Sequence, residues 1–201
     1  MIICCMGKAR VGKDSLGVML AEELFNLTGQ RFVLMAYAHE LKNRLQRDFD
    51  LSYEQLWGNE KEIEDKRYPK KTGGFWTPRE MMQFFGTECM RAMDNEFWTK
   101  SLFRTIEEKE FKNVIITDVR FPNEADPVVE QDGYVIKVNR ENKDEVHGET
   151  HASEISIDNY DKIDFTVENN SDLAALRETA KQISKILIEN EKIKFKLNGG
   201  I

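Results

Sequence analysis

Residues 7–15 read Gly7-Lys8-Ala9-Arg10-Val11-Gly12-Lys13-Asp14-Ser15. Two glycines bracket a short loop and a lysine follows the second. Glycine admits backbone angles that leave several N–H groups pointing to one side of such a loop. If a helix begins directly after it, the free amides of its first turn and the positive end of its dipole point the same way. Together these features hold a polyphosphate. Lys13 adds a mobile cation for β- and γ-phosphates, and Ser15 a hydroxyl for the α-phosphate or a magnesium ion. Asp14 stands where this pattern usually has serine or threonine. A carboxylate beside phosphates is repelled unless a cation stands between them. Asp14 therefore implies Mg²⁺, and either holds the metal's waters or orients Lys13 or the acceptor.

A second carboxylate, Asp118, closes the apolar run Asn113 to Thr117, and Arg120 follows two residues later. An aspartate at the carboxyl end of a buried strand can face a nucleotide's metal, and an arginine beside it can clamp a phosphate with its planar fork. Arg10, Arg79, Arg91, Arg120 and Arg140 all lie in or near expected loops. Transfer of a phosphoryl group needs such cations, because negative charge spreads over the moving group and both bridging oxygens. Gln83 and Thr87 stand four apart on one expected helix, Gly86 between them lets a base or sugar approach the backbone, and Phe84, Phe85 and Trp98 are available for stacking or core packing. His151 has a structural or loop-ordering role in this reading. The basic pairs Lys66-Arg67 and Lys70-Lys71 are a solvated face or a flap over phosphates. His39, His147 and His151 are not spaced to hold zinc.

The elements that must position these groups alternate. Residues 2 to 6 form an apolar strand that runs straight into the glycine loop, and Lys13 to Leu27 is a helix closed by Thr28-Gly29. Arg31 to Ala38 reads as a strand, and Glu40 to Phe49 as an amphipathic helix through Leu41, Leu45 and Phe49. Residues 50–76 are rich in charge, glycine and proline, and read as a mobile, partly helical excursion. Thr77-Pro78-Arg79-Glu80 has capping-box spacing and starts a helix running to about Met93. A helix over Phe97 to Glu108, the strand 113–117, a helix near Asn123 to Gln131 and a strand Tyr134 to Val138 follow. After a polar loop from Asn139 to Gly148 come the segment His151 to Ile155 and a last strand, Ile163 to Val167. Ser171 then caps a helix extending to about Asn190. Five strands separated by helices predict an α/β fold with a parallel sheet covered on both faces. We expect one domain over 1–190, with 50–76 and 139–150 as mobile substrate or lid regions, and a tail, 191–201, without usable periodicity.

At 201 residues the chain has room for one α/β domain. With 40% hydrophobic and 32% charged residues, it contains no apolar run near the roughly 18 residues of a membrane helix. A net charge of −7 argues against a broad nucleic-acid surface. Three cysteines, two adjacent at Cys4 and Cys5, make neither a disulfide framework nor a C-x-x-C motif. The expectation is a cytoplasmic protein with buried thiols.

In this order the motifs resemble those of the bacteriophage deoxynucleoside monophosphate kinases, of the P-loop, adenylate-kinase-like class. The matching pieces are G-K-A-R-V-G-K-D-S (7–15), Y-A-H-E-L-K (37–42), T-P-R-E-M-M-Q-F-F-G-T-E (77–88), Trp98, D-V-R-F-P-N-E-A (118–125) and H-A-S-E (151–154). The resemblance implies a P-loop kinase fold and ATP-dependent phosphorylation of deoxynucleoside 5′-monophosphates, with Mg²⁺, in a homodimer. An ATP site is expected at Gly7, Arg10, Gly12, Lys13, Asp14, Ser15 and Arg140, of which the resemblance itself carries over Asp14 and Ser15. Its acceptor-side pattern carries over to Arg79, Gln83, Gly86, Thr87 and Trp98, more loosely to Lys42, and its acid–arginine–acid pattern to Asp118, Arg120 and Glu124. Val11 and Ser15 depart from the usual loop, which has serine and threonine there, so no hydroxyl is available at position 11. Two rivals stay open: a kinase of another small phosphorylated alcohol, such as dephospho-coenzyme A, and a nucleotide-dependent switch protein. The absence of an N-K-x-D motif disfavours a GTPase.

Overall fold

The computed structural model describes residues 1–141, 157 and 159–197. The polar loop beyond Glu141 and the H-A-S-E segment with His151 lie outside the described residues. The chain divides into two compact units, one formed by residues 1–36 and 106–201, the other by 37–105.

The first unit is built on five parallel strands, β1 (Ile2–Met6), β2 (Val33–Met35), β3 (Val114–Val119), β4 (Tyr134–Asn139) and β5 (Phe165–Glu168), in the order β2-β3-β1-β4-β5. β1 and β4 are nearly continuous apolar runs because parallel strands are covered on both faces. Helix α1 (Lys13–Thr28) lays Leu16, Leu20 and Leu24 into a core shared with Ile3, Cys5, Ile115 and Ile136. Their four-residue spacing makes one helix stripe. Gly29, with φ 70°, ends the helix and donates its N–H to the Phe25 carbonyl at 2.8 Å. The helix following β5 adds Leu176, Ala180, Ile183 and Leu187 to the same core.

Several boundaries differ from expectation. The second strand keeps only Val33–Met35 of the run 31–38, because Tyr37 already opens the next helix, α2 (Tyr37–Phe49). Tyr37, Leu41, Leu45 and Phe49 share one spacing, so the helix stripe captures Tyr37 and Ala38 in spite of their strand-like neighbours. The third strand extends through Val119, which puts Asp118 inside the strand. The last strand sits at 165–168, displaced from 163–167, and its helix is capped by Asp172, whose carboxylate accepts the Ala175 N–H at 2.9 Å, rather than by Ser171. That helix runs to Leu197, so residues 191–197 of the expected tail are helical. They are tied down by Tyr134, whose hydroxyl donates to Glu191 at 2.9 Å, and by Lys194, whose ammonium donates to the Asp132 carbonyl at 2.6 Å.

The second unit contains α2, a short helix α3 (Tyr53–Leu56), a 3₁₀ turn (Glu60–Glu62), α4 (Pro78–Gln83), a π-helix (Phe84–Arg91) and most of α5 (Phe97–Glu108), which leads the chain back into the first unit. Thr77 and Glu80 form the expected capping box with Pro78 at the first helical position. The expected single helix 78–93 changes to π geometry at Phe84, where each turn takes an extra residue. Leu45, Leu51, Leu56 and Met81 make this unit's own core, with Trp57, Tyr68 and Trp76 packed around it.

The segment 50–76 is held by a polar cluster. Asp65 is buried and takes three bonds from the Arg67 guanidinium, 2.9 and 3.1 Å from Nε and 2.6 Å from Nη2, and one of 2.9 Å from Gln55. Arg67, then Gln55, hold its carboxyl well below the usual carboxylate range. Lys70 pairs with Glu80 at 2.6 Å and lies over the Trp76 ring. Arg67 and Lys70 are thus bound into the unit, while Lys66 and Lys71 are exposed. Among the described residues of the first unit the remaining helices are α6 (Pro122–Glu130) and α7 (Leu173–Leu197).

Candidate active site

The loop between β1 and α1 is shaped by close approaches. At Gly7 a Cβ would stand 2.4 Å from the Val138 carbonyl oxygen of β4, and the Gly7 N–H donates to Val119 of β3 at 3.2 Å. The loop therefore starts wedged between the ends of two strands, where any side chain would force them apart. Gly12 has φ 101°, a left-handed backbone, and its missing Cβ would lie 2.4 Å from the Asn169 amide nitrogen. Arg10 is also left-handed, at φ 61°, and exposed. Buried Val11 substitutes an apolar anchor for the usual hydroxyl.

Asn169, unnoticed in the sequence, pins this turn. It follows β5, is buried, and donates its side-chain N–H to the Val11 carbonyl at 2.8 Å. Its own backbone N–H donates to Asn139 at 2.8 Å, so the end of β4 positions the residue that positions the loop. The partners are 158 residues apart, a pairing without a local signal.

Lys13 is buried and its ammonium donates to the Gly7 and Lys8 carbonyls at 2.7 and 2.6 Å. It curls over the loop it belongs to, which puts its charge at the loop's centre. Asp14 and Ser15 lie exposed on the first turn of α1. The Asp14 carboxylate accepts a 2.6 Å hydrogen bond from the hydroxyl of Thr117 on β3. Behind the loop, burial pushes the Cys5 thiol up to about 12, outweighing the opposing influence of Lys13, and burial likewise raises Cys4 well above the usual thiol value. Both thiols are inert packing groups.

Around β3 the geometry is irregular. While β1 advances from Cys4 to Met6, its partner advances from Ile116 to Val119, so one extra residue lies in the Thr117–Asp118 pair. Such bulges re-aim side chains at the ends of strands. Asp118 is half-buried on this bulge and Arg120 half-buried just beyond it. Glu124, expected to touch substrate, is buried, and one of its oxygens accepts the Arg120 and Phe121 N–H groups at 2.7 and 3.1 Å. It caps α6 and fixes the backbone that carries Arg120. Arg140 is exposed at the end of β4.

The acceptor-side candidates all fall in the second unit. Trp98 is buried, at 4% exposure, and its indole N–H donates to the Gly86 carbonyl at 2.9 Å. It ties α5 to the π-helix. The space that a Cβ would need at Gly86 is closed by Leu41, 3.2 Å away, so clearance at this glycine serves packing of α2. Arg79 is paired with Glu62, and Lys42 lies over the Trp57 ring, 5.5 Å from its centre. Gln83 and Thr87 are half-exposed on either side of the change from α to π geometry. Phe84 is exposed and packs against Trp76, with ring centres 5.4 Å apart.

A polyphosphate fits the loop, because left-handed Gly12 turns the chain directly into α1, whose first-turn N–H groups and positive dipole end suit an anion. The hard oxygen donors of Asp14 and Ser15 fit Mg²⁺, which is bound through few protein ligands, with phosphates and waters completing its shell. Among the described residues there is no cluster of three or more His, Cys, Asp or Glu that could hold a metal by itself.

A parallel α/β sheet with a glycine loop between its central strand and first helix defines the class of P-loop nucleotide-binding proteins. The model of a family described as deoxynucleotide monophosphate kinase matches residues 48–180. A protein of Acanthamoeba polyphaga mimivirus, titled "Putative deoxynucleotide monophosphate kinase", is 32% identical over 171 residues, 79% of this chain and 85% of the relative. Among solved structures, a dephospho-CoA kinase from Campylobacter jejuni is 17% identical with a TM-score of 0.49, over 94% of this chain and 98% of the other. A shikimate kinase from Aquifex aeolicus is 16% identical with a TM-score of 0.47, over 97% and 99%. The chain belongs to the deoxynucleotide monophosphate kinase family. It is a nucleoside monophosphate kinase that uses ATP to phosphorylate deoxynucleoside monophosphates.

Proposed function

We propose that the loop 7–15 holds the donor nucleotide and that the second unit supplies the acceptor side. The observation that carries this reading is the loop itself: a left-handed Gly12, Lys13 at its centre, and Asp14 and Ser15 presented at the start of α1. The loop amides and Lys13 bind the β- and γ-phosphates, with exposed Arg10 and Arg140 as further cations. Asp14 and Ser15, with Asp118, take the waters of Mg²⁺. When bound, that ion neutralises charge on the phosphates during transfer. Arg120, on a backbone held by Glu124, clamps the moving or accepting phosphate. Lys13, Asp14, Asp118 and Arg120 thus carry catalysis through placement and charge rather than proton transfer.

On the acceptor side, Arg79 and Lys42 meet the acceptor's charge, and Gln83 and Thr87 read the edge of its base. Gly86 and Trp98 set the backbone on which those two side chains stand. Segments 50–76 and 139–150 act as substrate or lid regions. The enzyme works in the cytoplasm, in the host cytoplasm if phage-encoded, where ATP and mononucleotides are found. The family resemblance supports a homodimer, for which light scattering would show a mass of two chains.

The test is ADP production from Mg·ATP with each dNMP and NMP in turn, with Lys13→Ala and Arg120→Ala beside the unaltered enzyme. Turnover with deoxynucleotides, lost in both variants, is the expected result. Full turnover in Lys13→Ala would overturn the loop assignment, and full turnover in Arg120→Ala would remove the clamp. Rates ranked across the bases measure the specificity that Gln83 and Thr87 provide.

A further inference from the structure

We infer that Thr117 is a positioning residue for Asp14: its hydroxyl fixes the rotamer of the loop carboxylate, and with it the carboxylate's ability to take the waters of Mg²⁺. The inference rests on the role proposed above for Asp14. Three observations carry it. The Thr117 hydroxyl donates to Asp14 Oδ1 at 2.6 Å, the length of a hydroxyl bond to an ionised acceptor. Thr117 is itself buried, at 7% exposure, whereas Asp14 is exposed, so the inner residue is the fixed one of the pair. Gly17 lies one turn along α1 from Asp14, and a Cβ there would stand 2.5 Å from the Thr117 methyl group.

That last contact decides the geometry. Threonine is stiff about χ1. Its methyl fills the notch left by Gly17, so its hydroxyl has one direction left and points at Asp14. The bulge in β3 begins at this residue, which is how a strand side chain is brought under the first turn of the helix. One lone pair of Oδ1 is thereby occupied, and Oδ2 is presented in a fixed place. An exposed carboxylate without such a brace samples several rotamers, and each bound water must then also bear the cost of ordering it.

Binding of a fluorescent ATP analogue, measured with Mg²⁺ and again with EDTA, tests this in the unaltered enzyme, Thr117→Val, Thr117→Ala, Thr117→Ser and Asp14→Asn. Thermal unfolding of each variant reports its fold. Thr117→Val and Thr117→Ala should lose about tenfold of the affinity that Mg²⁺ adds, the value of one hydrogen bond to a charged group, with affinity in EDTA unchanged. Thr117→Ser, which keeps the hydroxyl but lacks the methyl that aims it, should retain more of that gain than Thr117→Val. Thr117→Val with the full Mg²⁺ gain would overturn the inference. So would equal losses with and without Mg²⁺, which packing alone produces, or a serine variant as weak as the valine one. Asp14→Asn separates the two levels: if it keeps the Mg²⁺ gain, the role of Asp14 falls. If Asp14→Asn loses the gain and Thr117→Val keeps it, only the role of Thr117 falls.

Discussion

The glycine loop of the first unit and the helices of the second that carry the proposed acceptor side are built on opposite plans. In the loop, the backbone is the part proposed to bind, and the residues around it hold that backbone: Gly7 against Val138, Gly12 in left-handed conformation, Asn169 on the Val11 carbonyl. In the second unit, residues expected to meet substrate are partly engaged in holding the unit together, as Trp98 on Gly86 and Arg79 with Glu62 show. A site made of backbone amides demands particular residues at fixed spacing. A site made of side chains takes its meaning from whatever those side chains also touch.

The largest effect expected from this contrast is at Lys13. Lys13→Ala should lower turnover by about 100-fold or more, as losses of preorganised charge do, with far-ultraviolet circular dichroism unchanged. A glycine from each plan makes a direct comparison. Gly12→Ala faces both a left-handed backbone and Asn169, and should weaken ATP binding by about tenfold while costing about 2 kcal/mol of stability. Gly86→Ala meets only the flexible end of Leu41, and should shift stability by less than about 1 kcal/mol in thermal melts. Equal losses at the two positions would remove the distinction. Asn169→Ala takes away one buried hydrogen bond at a distance from phosphate, and should weaken ATP about fivefold by calorimetry.

A further effect concerns stability in acid. The Asp65 carboxyl is depressed in the folded state by Arg67 and Gln55, so its contribution is complete above the ordinary aspartate pKa of about 3.9 and is lost as pH falls through the lower folded value. Asp65→Asn should be less stable than the unaltered enzyme near neutrality, by about 1 to 2 kcal/mol. The difference should narrow below about pH 3. A constant difference across that range would show that Asp65 acts by shape alone.

The sequence by itself determined the parallel α/β sheet, the place of the glycine loop between the first strand and helix, the Thr77 capping box and the family. Each of these is written locally: strand runs, a glycine spacing, or a four-residue cap whose partners are chain neighbours. Boundaries such as Tyr37 entering α2 moved because a helix stripe outweighed the strand propensity beside it. The helix through Leu197 was missed because its support, Tyr134 and Asp132, lies more than fifty residues earlier in the chain. Tertiary structure alone decided that Glu124 caps a helix, that Trp98 is a buried donor, and that Asn169 and Thr117 brace the loop across 158 and 103 residues. A hydrogen bond between distant residues leaves no period or spacing in the chain. It exists only once the sheet has brought the ends of β3 and β5 beside the loop after β1.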